Sequence, residues 1–298
     1  MTIAGALFAL VVGIAVRQQR VFGDLADGSA LEARLREAAA LMPVDLRALS
    51  PGGGDVRDAR DTSLEIRATI ATAVVCDTGA SRIVLAPAVA PPTTRRSLGS
   101  GSDRASYASY STPVVAGDTA WFLSESDTSE RWTPVPIAGI VAAPSGPCVG
   151  AAPRLDSLGA ATARVALTLA TLPGAGLNAV LGAPIRITRP IRYSLYHASD
   201  GEWYLGERDW NAASATFNTI QPIAGPFSSA AAGGIRFAFV DTSGVSLASP
   251  VVDAARVAGV RIEIRGQTRA MVRALTVGGR TARRTDSLII AASLRGGR

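Results

Sequence analysis

The stretch Ile3-Ala4-Gly5-Ala6-Leu7-Phe8-Ala9-Leu10-Val11-Val12-Gly13-Ile14-Ala15-Val16 decides how the rest of the chain is read. Its fourteen residues carry no charge and no strong polar group, and Arg17-Gln18-Gln19-Arg20 follows at once. As an α-helix it reaches about 21 Å, short of the roughly 30 Å hydrocarbon core of a bilayer. A secretory signal has an apolar segment of this length, but with a basic stretch before it and a small-residue cleavage site behind it. Here only Met1-Thr2 precedes. Leu25, Leu31, Leu35, Ala38, Met42, Leu46 and Leu49 then recur at spacings of mostly three and four. Asp24, Asp27, Glu32, Arg34, Arg36, Glu37, Asp45 and Arg47 lie between them, which predicts an amphipathic helix of balanced charge. Pro43 is expected to bend it or end its first part, and Ser50-Pro51-Gly52-Gly53-Gly54 to stop it. Residues 1–50 thus form one helical element, apolar all round first and one-sided afterwards.

The remainder has a different period. Leu64, Ile66, Ala68 and Ile70 alternate with Glu65, Arg67 and Thr69, the mark of a strand, here running on through Val74-Val75. Further short strands are expected at 82–85, 119–123, 135–141, 164–172, 191–197, 202–205, 235–241, 245–247, 257–265 and 287–294. Ser199-Asp200-Gly201 and Thr242-Ser243-Gly244 read as hairpin turns. Loops rich in Pro, Gly and Ser fall at 86–110 and 142–159. Few gaps are long enough for a crossover helix, so antiparallel pairing is expected. The fold class is therefore α+β: a long N-terminal helix, then an antiparallel β-domain over residues 55–298.

Composition narrows the chemistry. The 298 residues are 48% hydrophobic and 18% charged, enough apolar material for a core. One His and two Cys are too few for a zinc or iron–sulfur centre, so no metal and no cofactor is expected. All 30 basic residues are Arg. Residues 251–298 hold ten Arg against Asp253, Glu263 and Asp286, a net of +7, whereas the whole chain carries +6. Such a segment could meet phosphates, anionic lipid or an acidic partner. The plainer reading is Arg on the wet face of strands, and no nucleic acid is expected as a partner.

A helix that is apolar first and amphipathic second, leading into a β-domain, resembles the type IV pilin and pseudopilin family. The stretch from Met1 to Gly13 is similar to the part of a pilin that directly follows the Phe-Thr-Leu-x-Glu start of its mature chain. The Gln18-Gln19-Arg20-Val21-Phe22 exit, Leu35-Arg36-Glu37-Ala38 and Asp45-Leu46-Arg47 resemble minor pilins and J-type minor pseudopilins in particular. So do Val260-Arg261-Ile262-Glu263-Ile264-Arg265 and the closing 289–295. The family's leader Gly and Phe-Thr-Leu-x-Glu start do not occur here, which leads to the expectation that the translated product begins upstream of Met1. The resemblance implies a single-pass inner-membrane protein with its C-terminal domain in the periplasm, processed by prepilin peptidase and then assembled with other pilin or pseudopilin subunits into a filament or onto the cell surface. Ile3, Leu7, Phe8, Leu10, Val11, Val12, Ile14 and Val16 would form the membrane anchor and the filament core.

In an exported domain Cys76 and Cys148 either pair or remain two thiols, and a bridge across their 72-residue separation would contribute about 3–4 kcal/mol on a chain-entropy model. Three enzyme-like signals compete with structural readings. Val74-Val75-Cys76-Asp77-Thr78-Gly79-Ala80 resembles the active-site turn of aspartic proteases, but that chemistry needs two carboxylates sharing a proton. The partial second copy, Phe239-Val240-Asp241-Thr242-Ser243-Gly244, has Ser where Gly is required, and Asp-Thr-Gly is also an ordinary hairpin turn. His197 with Asp200 lacks a nucleophile elbow, leaving a strand histidine. Gly174-Ala175-Gly176-Leu177-Asn178-Ala179 is a faint echo of a dinucleotide loop without its third Gly or its acidic partner. Trp203-Tyr204, Trp210, Tyr193 and Tyr196 form an aromatic group that is either cross-strand packing or a sugar- or partner-binding face. The function expected is a non-enzymatic minor pilin or pseudopilin. The alternatives are a membrane-tethered hydrolase built on Asp77-Thr78-Gly79 and a tethered binding domain.

Overall fold

The computed structural model describes residues 2–79, 81–86, 109–126, 129–144, 148, 164–170, 181–268, 272–273 and 281–294. One helix, α1 (Thr2–Arg47), opens the chain and antiparallel β-sheets follow it, an α+β architecture. The first strands are β1 (Val56–Ala59), β2 (Ser63–Thr78), β3 (Arg82–Leu85), β4 (Ser109–Tyr110), β5 (Thr119–Ser126), β6 (Ser129–Ala143), β7 (Arg164–Leu169) and β8 (Pro184–His197). After them come β9 (Trp203–Asn211), β10 (Thr216–Phe217), β11 (Gln221–Phe227), β12 (Ile235–Val240) and β13 (Ser246–Leu247). The last are β14 (Gly259–Gln267), β15 (Val272–Arg273), β16 (Thr281–Ala282) and β17 (Thr285–Ser293). The expected loops at 86–110 and 142–159 and the glycine-rich 174–179 lie mostly or wholly outside the described residues.

The helix does not break at Pro43; it continues to Arg47. Proline in a helix interior costs about 3 kcal/mol. Here Met42, Pro43 and Leu46 are all buried, and that burial offsets the lost bond. The end is closed by Ser50 and Asp55. Ser50 N donates to Asp55 Oδ2 at 2.7 Å, while Gly53 N and Asp55 N donate back to Ser50 O at 2.9 and 3.3 Å.

Two compact units divide the chain: Met1–Glu65 with Arg192–Arg208 and Thr219–Arg298, and Ile66–Ile191 with Asp209–Asn218. The first unit contains α1 and a four-stranded sheet in the order β13-β12-β14-β17, together with the pairing of β9 with β11. β12 and β13 form the hairpin expected around Thr242-Ser243-Gly244, and Ser199-Asp200-Gly201 turns β8 into β9. Along β14 the burial alternates strictly: Val260, Ile262 and Ile264 are buried while Arg261 and Arg265 are exposed. Arg236 on β12 is exposed as well, so these arginines occupy the wet face of the sheet.

In the second unit the strands close on themselves. The path β2-β3-β7-β6-β5-β8 returns to its start because β8 also pairs with β2. Val75 N donates to Ala183 O and Gly182 N to Val75 O at that seam, at 3.0 and 2.8 Å. Five of the six contacts are recorded as antiparallel, and in a ring of six the last must be antiparallel too. The interior is filled by side chains, as a small closed ring requires: Val75, Leu85, Phe122, Ile137, Leu167 and Ile187 are among them. A bidentate ion pair braces the entry to β5. Arg189 Nε and Nη2 donate to the two carboxylate oxygens of Asp118 at 2.8 and 2.9 Å, and Nη2 also reaches Pro113 O at 2.9 Å. That hydrogen bond to Asp118 raises the Arg189 pKa, against the opposing effect of burial.

Candidate functional site

The helix has two physically different halves. On the second, Leu31, Leu35, Ala38, Met42, Leu46 and Leu49 are buried, on the stripe that the spacing of three and four predicts. They pack on β11, β14 and β17. The fit is close: a Cβ on Gly266 of β14 would run into Leu31 Cδ1, so a side chain there would have to displace that leucine's terminal methyl. Polar contacts hold the same half. Tyr193 Oη donates to Asp45 Oδ2 at 2.6 Å, and Arg284 lies 4.0 Å from Glu32 and against Gly28. Burial, and then the charges of Asp45 and Glu207, push the Tyr193 phenol well above its ordinary value.

The first half has no such cover. Phe8 is 72% exposed, and Leu10, Val11, Val12, Ile14 and Val16 are exposed with it. Val21, Phe22 and Leu25 continue the same condition past the Arg17–Arg20 exit. The side chains of Ile3 and Leu7 lie outside the described residues. Soluble monomers rarely present contiguous apolar patches larger than a few hundred Å². From Phe8 to Leu25 the helix exposes nine large apolar side chains. Among the described residues no helix is long and apolar enough to cross a membrane.

Cys76 and Cys148 are joined in a disulfide, with Cα atoms 4.8 Å apart and both residues buried in the second unit. Arg164 Nη1 approaches Cys76 Sγ at 3.2 Å, and its Nε donates to Pro144 O at 2.9 Å. The neighbouring Asp77 and Thr78 are the last residues of β2, paired with Val84 and Ile83 of β3, and Gly79 follows them. Thr78 N donates to Asp77 Oδ1 at 2.8 Å and Gly79 N to Arg82 O at 2.7 Å, with Asp77 exposed. Asp241 in the first unit accepts from Ser243 Oγ, Ser243 N and Val245 N at 2.6, 3.0 and 3.0 Å. The Ser243 hydroxyl, then the Val245 amide, hold the Asp241 carboxyl below its usual value. Asp241 thus serves as a turn-stabilising acceptor, whereas Asp77 sits in the strand ladder.

The aromatic group separates into different jobs. Tyr193 secures the helix. Tyr196 and Tyr204 lie with ring centroids 6.1 Å apart, each over a glycine of a neighbouring strand: a Cβ on Gly206 would come within 2.7 Å of Tyr196 Cδ1, and one on Gly225 within 2.7 Å of Tyr204 Cδ1. Tyr204 Oη also donates to Asp200 Oδ2 at 2.7 Å, and exposed His197 packs against Trp203 at 5.0 Å. Trp210 belongs to the second unit, edge-on to Phe217 at 5.2 Å. A further cluster was not legible in the sequence. The guanidinium groups of Arg67 and Arg186 both lie 5.4 Å from the Trp121 ring, and Arg186 lies 6.0 Å from that of Trp132. Trp121 Nε1 donates to Thr188 Oγ1 at 2.8 Å, so this stack anchors the outside of the closed ring. Among the described residues no three His, Cys, Asp or Glu are grouped to hold a metal ion. Compared with protein-family models, with curated proteins and with solved structures, the chain finds no match.

Proposed function

We propose that this chain is a non-enzymatic structural subunit of the type IV pilin and pseudopilin kind, a minor pilin or J-type minor pseudopilin. The observation that supports the reading is the division of one continuous helix. Leu31, Leu35, Ala38, Met42 and Leu46 are buried against the subunit's own sheet, whereas Phe8 to Leu25 expose large apolar side chains at nine positions. A helix built this way is a plug for a foreign apolar environment. Before assembly that environment is the inner membrane, with the β-domain in the periplasm. In the filament it is a bundle of the same helices from neighbouring subunits, with the β-domains outside. No reacting group is required for this role.

The test is a charge in the plug. Val12→Arg costs about 2.5–3.5 kcal/mol on insertion scales, and removal of residues 1–24 abolishes the plug outright. Both variants are expected to leave the membrane fraction and to fail in restoring filament assembly or secretion. Asp77→Asn is expected to restore both. Full complementation by the truncated chain would overturn the reading, and loss of function in Asp77→Asn with the protein still folded would move it to the hydrolase.

A further inference from the structure

The last strand of the first unit ends its sheet, and the edge is unusually unguarded. β17 pairs with β14 in unbroken register over nine residues, from Thr285 opposite Gln267 to Ser293 opposite Gly259. Among the described residues nothing pairs with its other side. Natural edge strands are protected by Lys, Pro, bulges, brevity or a covering helix or loop; α1 packs on β17 but does not pair with it. β17 has no proline, no bulge and no basic residue, and from Ser287 to Ser293 it has no charge at all.

Which backbone groups face that open side follows from the bonds that bracket the ladder. Thr268 N donates to Arg284 O and Leu294 N to Ala258 O, both at 2.9 Å. Even-numbered residues of β17 are therefore the ones bonded towards β14, and odd-numbered residues direct N–H and C=O outward. Ser287 fits this alternation: its N–H is taken by the Asp286 carboxylate at 2.8 Å instead of by a strand. Ile289, Ala291 and Ser293 offer the remaining outward groups. A second observation points the same way. Ile262 and Ile264 on β14 are 0% exposed, whereas their partners Ile290 and Leu288 are only half-buried. Ile289 on the opposite face is 49% exposed. Although α1 packs against β17, no further strand lies beside it among the described residues.

We propose that this edge pairs with the same strand of a second copy of the chain, continuing the β13-β12-β14-β17 sheet across a two-fold axis. The sequence Ser287-Leu288-Ile289-Ile290-Ala291-Ala292-Ser293 complements itself when reversed. With the axis at Ile290, Ser287 of one copy faces Ser293 of the other, Leu288 faces Ala292, Ile289 faces Ala291 and Ile290 faces its own counterpart. Large side chains meet small ones, and the outward-directed odd residues become the hydrogen-bonded pairs. No charge within the segment selects an acidic or basic stranger, so size and symmetry choose the occupant. This goes beyond the filament reading and does not rest on it, because every residue involved belongs to the sheet.

The experiment uses the full chain in detergent. Sedimentation velocity at tens of micromolar is expected to show a dimer. Ile290→Cys, at a non-hydrogen-bonded cross-strand position, is expected to oxidise to a covalent dimer, since both native cysteines are already bonded to each other. Val252→Cys, on a fully exposed residue outside β17, is the control and is expected to remain uncross-linked. Ala291→Pro removes an outward N–H while sparing the bonds to β14, and is expected to weaken dimerisation at least tenfold. If that variant loses its fold, Ile289→Lys gives the same reading through a gatekeeper charge. A monomeric wild type, a dimer indifferent to the edge variants, or cross-linking of Val252→Cys as fast as Ile290→Cys would each overturn the proposal.

Discussion

The hydroxyl of Tyr193 on β8 donates to Oδ2 of Asp45 in the last turn of α1, at 2.6 Å and across 148 residues of sequence. It is the polar counterpart of the leucine stripe beside it: the stripe sets where the helix lies, and the hydrogen bond fixes its rotation at the C-terminal end.

Tyr193→Phe is therefore expected to lower stability by about 1–2 kcal/mol at neutral pH, read by urea unfolding. The pH dependence has a definite sign. Because the folded phenol is held above its ordinary value, its contribution is complete below about pH 10 and is lost as the pH rises from there through the folded value. Wild-type stability is expected to fall between about pH 10 and pH 11, and Tyr193→Phe to show a shallower decline.

Asp118→Ala leaves the Arg189 guanidinium buried without its bidentate partner. A loss of about 3–5 kcal/mol is expected, as for other buried pairs broken from one side. Thermal melting of Asp118→Ala beside the double variant Asp118→Ala/Arg189→Met checks the cause. The double variant is expected to recover much of the loss, since it removes the stranded charge as well.

For Cys76 and Cys148, thiol titration of unreduced, denatured protein is expected to find no free thiol. Replacing both with Ser is expected to cost about 3–4 kcal/mol, the chain entropy of the loop they close. The ring strands adjoining Cys76 should then exchange their amide hydrogens faster than the sheet of the first unit.

Elements whose side chains repeat were legible in the sequence. The period of Leu31, Leu35, Ala38, Met42 and Leu46 located the docked face of α1, and the alternation from Leu64 to Ile70 located β2. Both patterns record a single buried face. β11 was missed because Pro222, Gly225 and Pro226 read as breakers, yet β11 pairs with one strand, β9, through two irregularities that tolerate them. β6 and β8 begin earlier than the expected 135–141 and 191–197, extending past Pro134 and Pro190, which interrupt the pattern. Pro43 does not end α1, which runs on to Arg47 with Met42, Pro43 and Leu46 buried. Asp118 with Arg189, Tyr193 with Asp45 and the Arg67–Trp121–Arg186 stack left no trace, because their members meet through the pairing of distant strands. The exposure of residues 8–25 was legible in part. The apolar run ended at Val16 in the sequence, whereas Val21, Phe22 and Leu25 extend the uncovered surface beyond the charged exit.

The helix precedes in the chain every strand on which it docks. Leu31, Leu35 and Met42 rest on β11, β14 and β17, so the cradle is incomplete until residues near 290 have been synthesised. Most of the second unit, Ile66–Ile191, is one contiguous run and can close its ring while the tail is still being made. Throughout that interval the amphipathic half of α1 is as bare as the apolar half. The nascent chain thus needs a temporary host for the whole helix, and a stop codon anywhere before β17 would leave it permanently sticky rather than merely shortened.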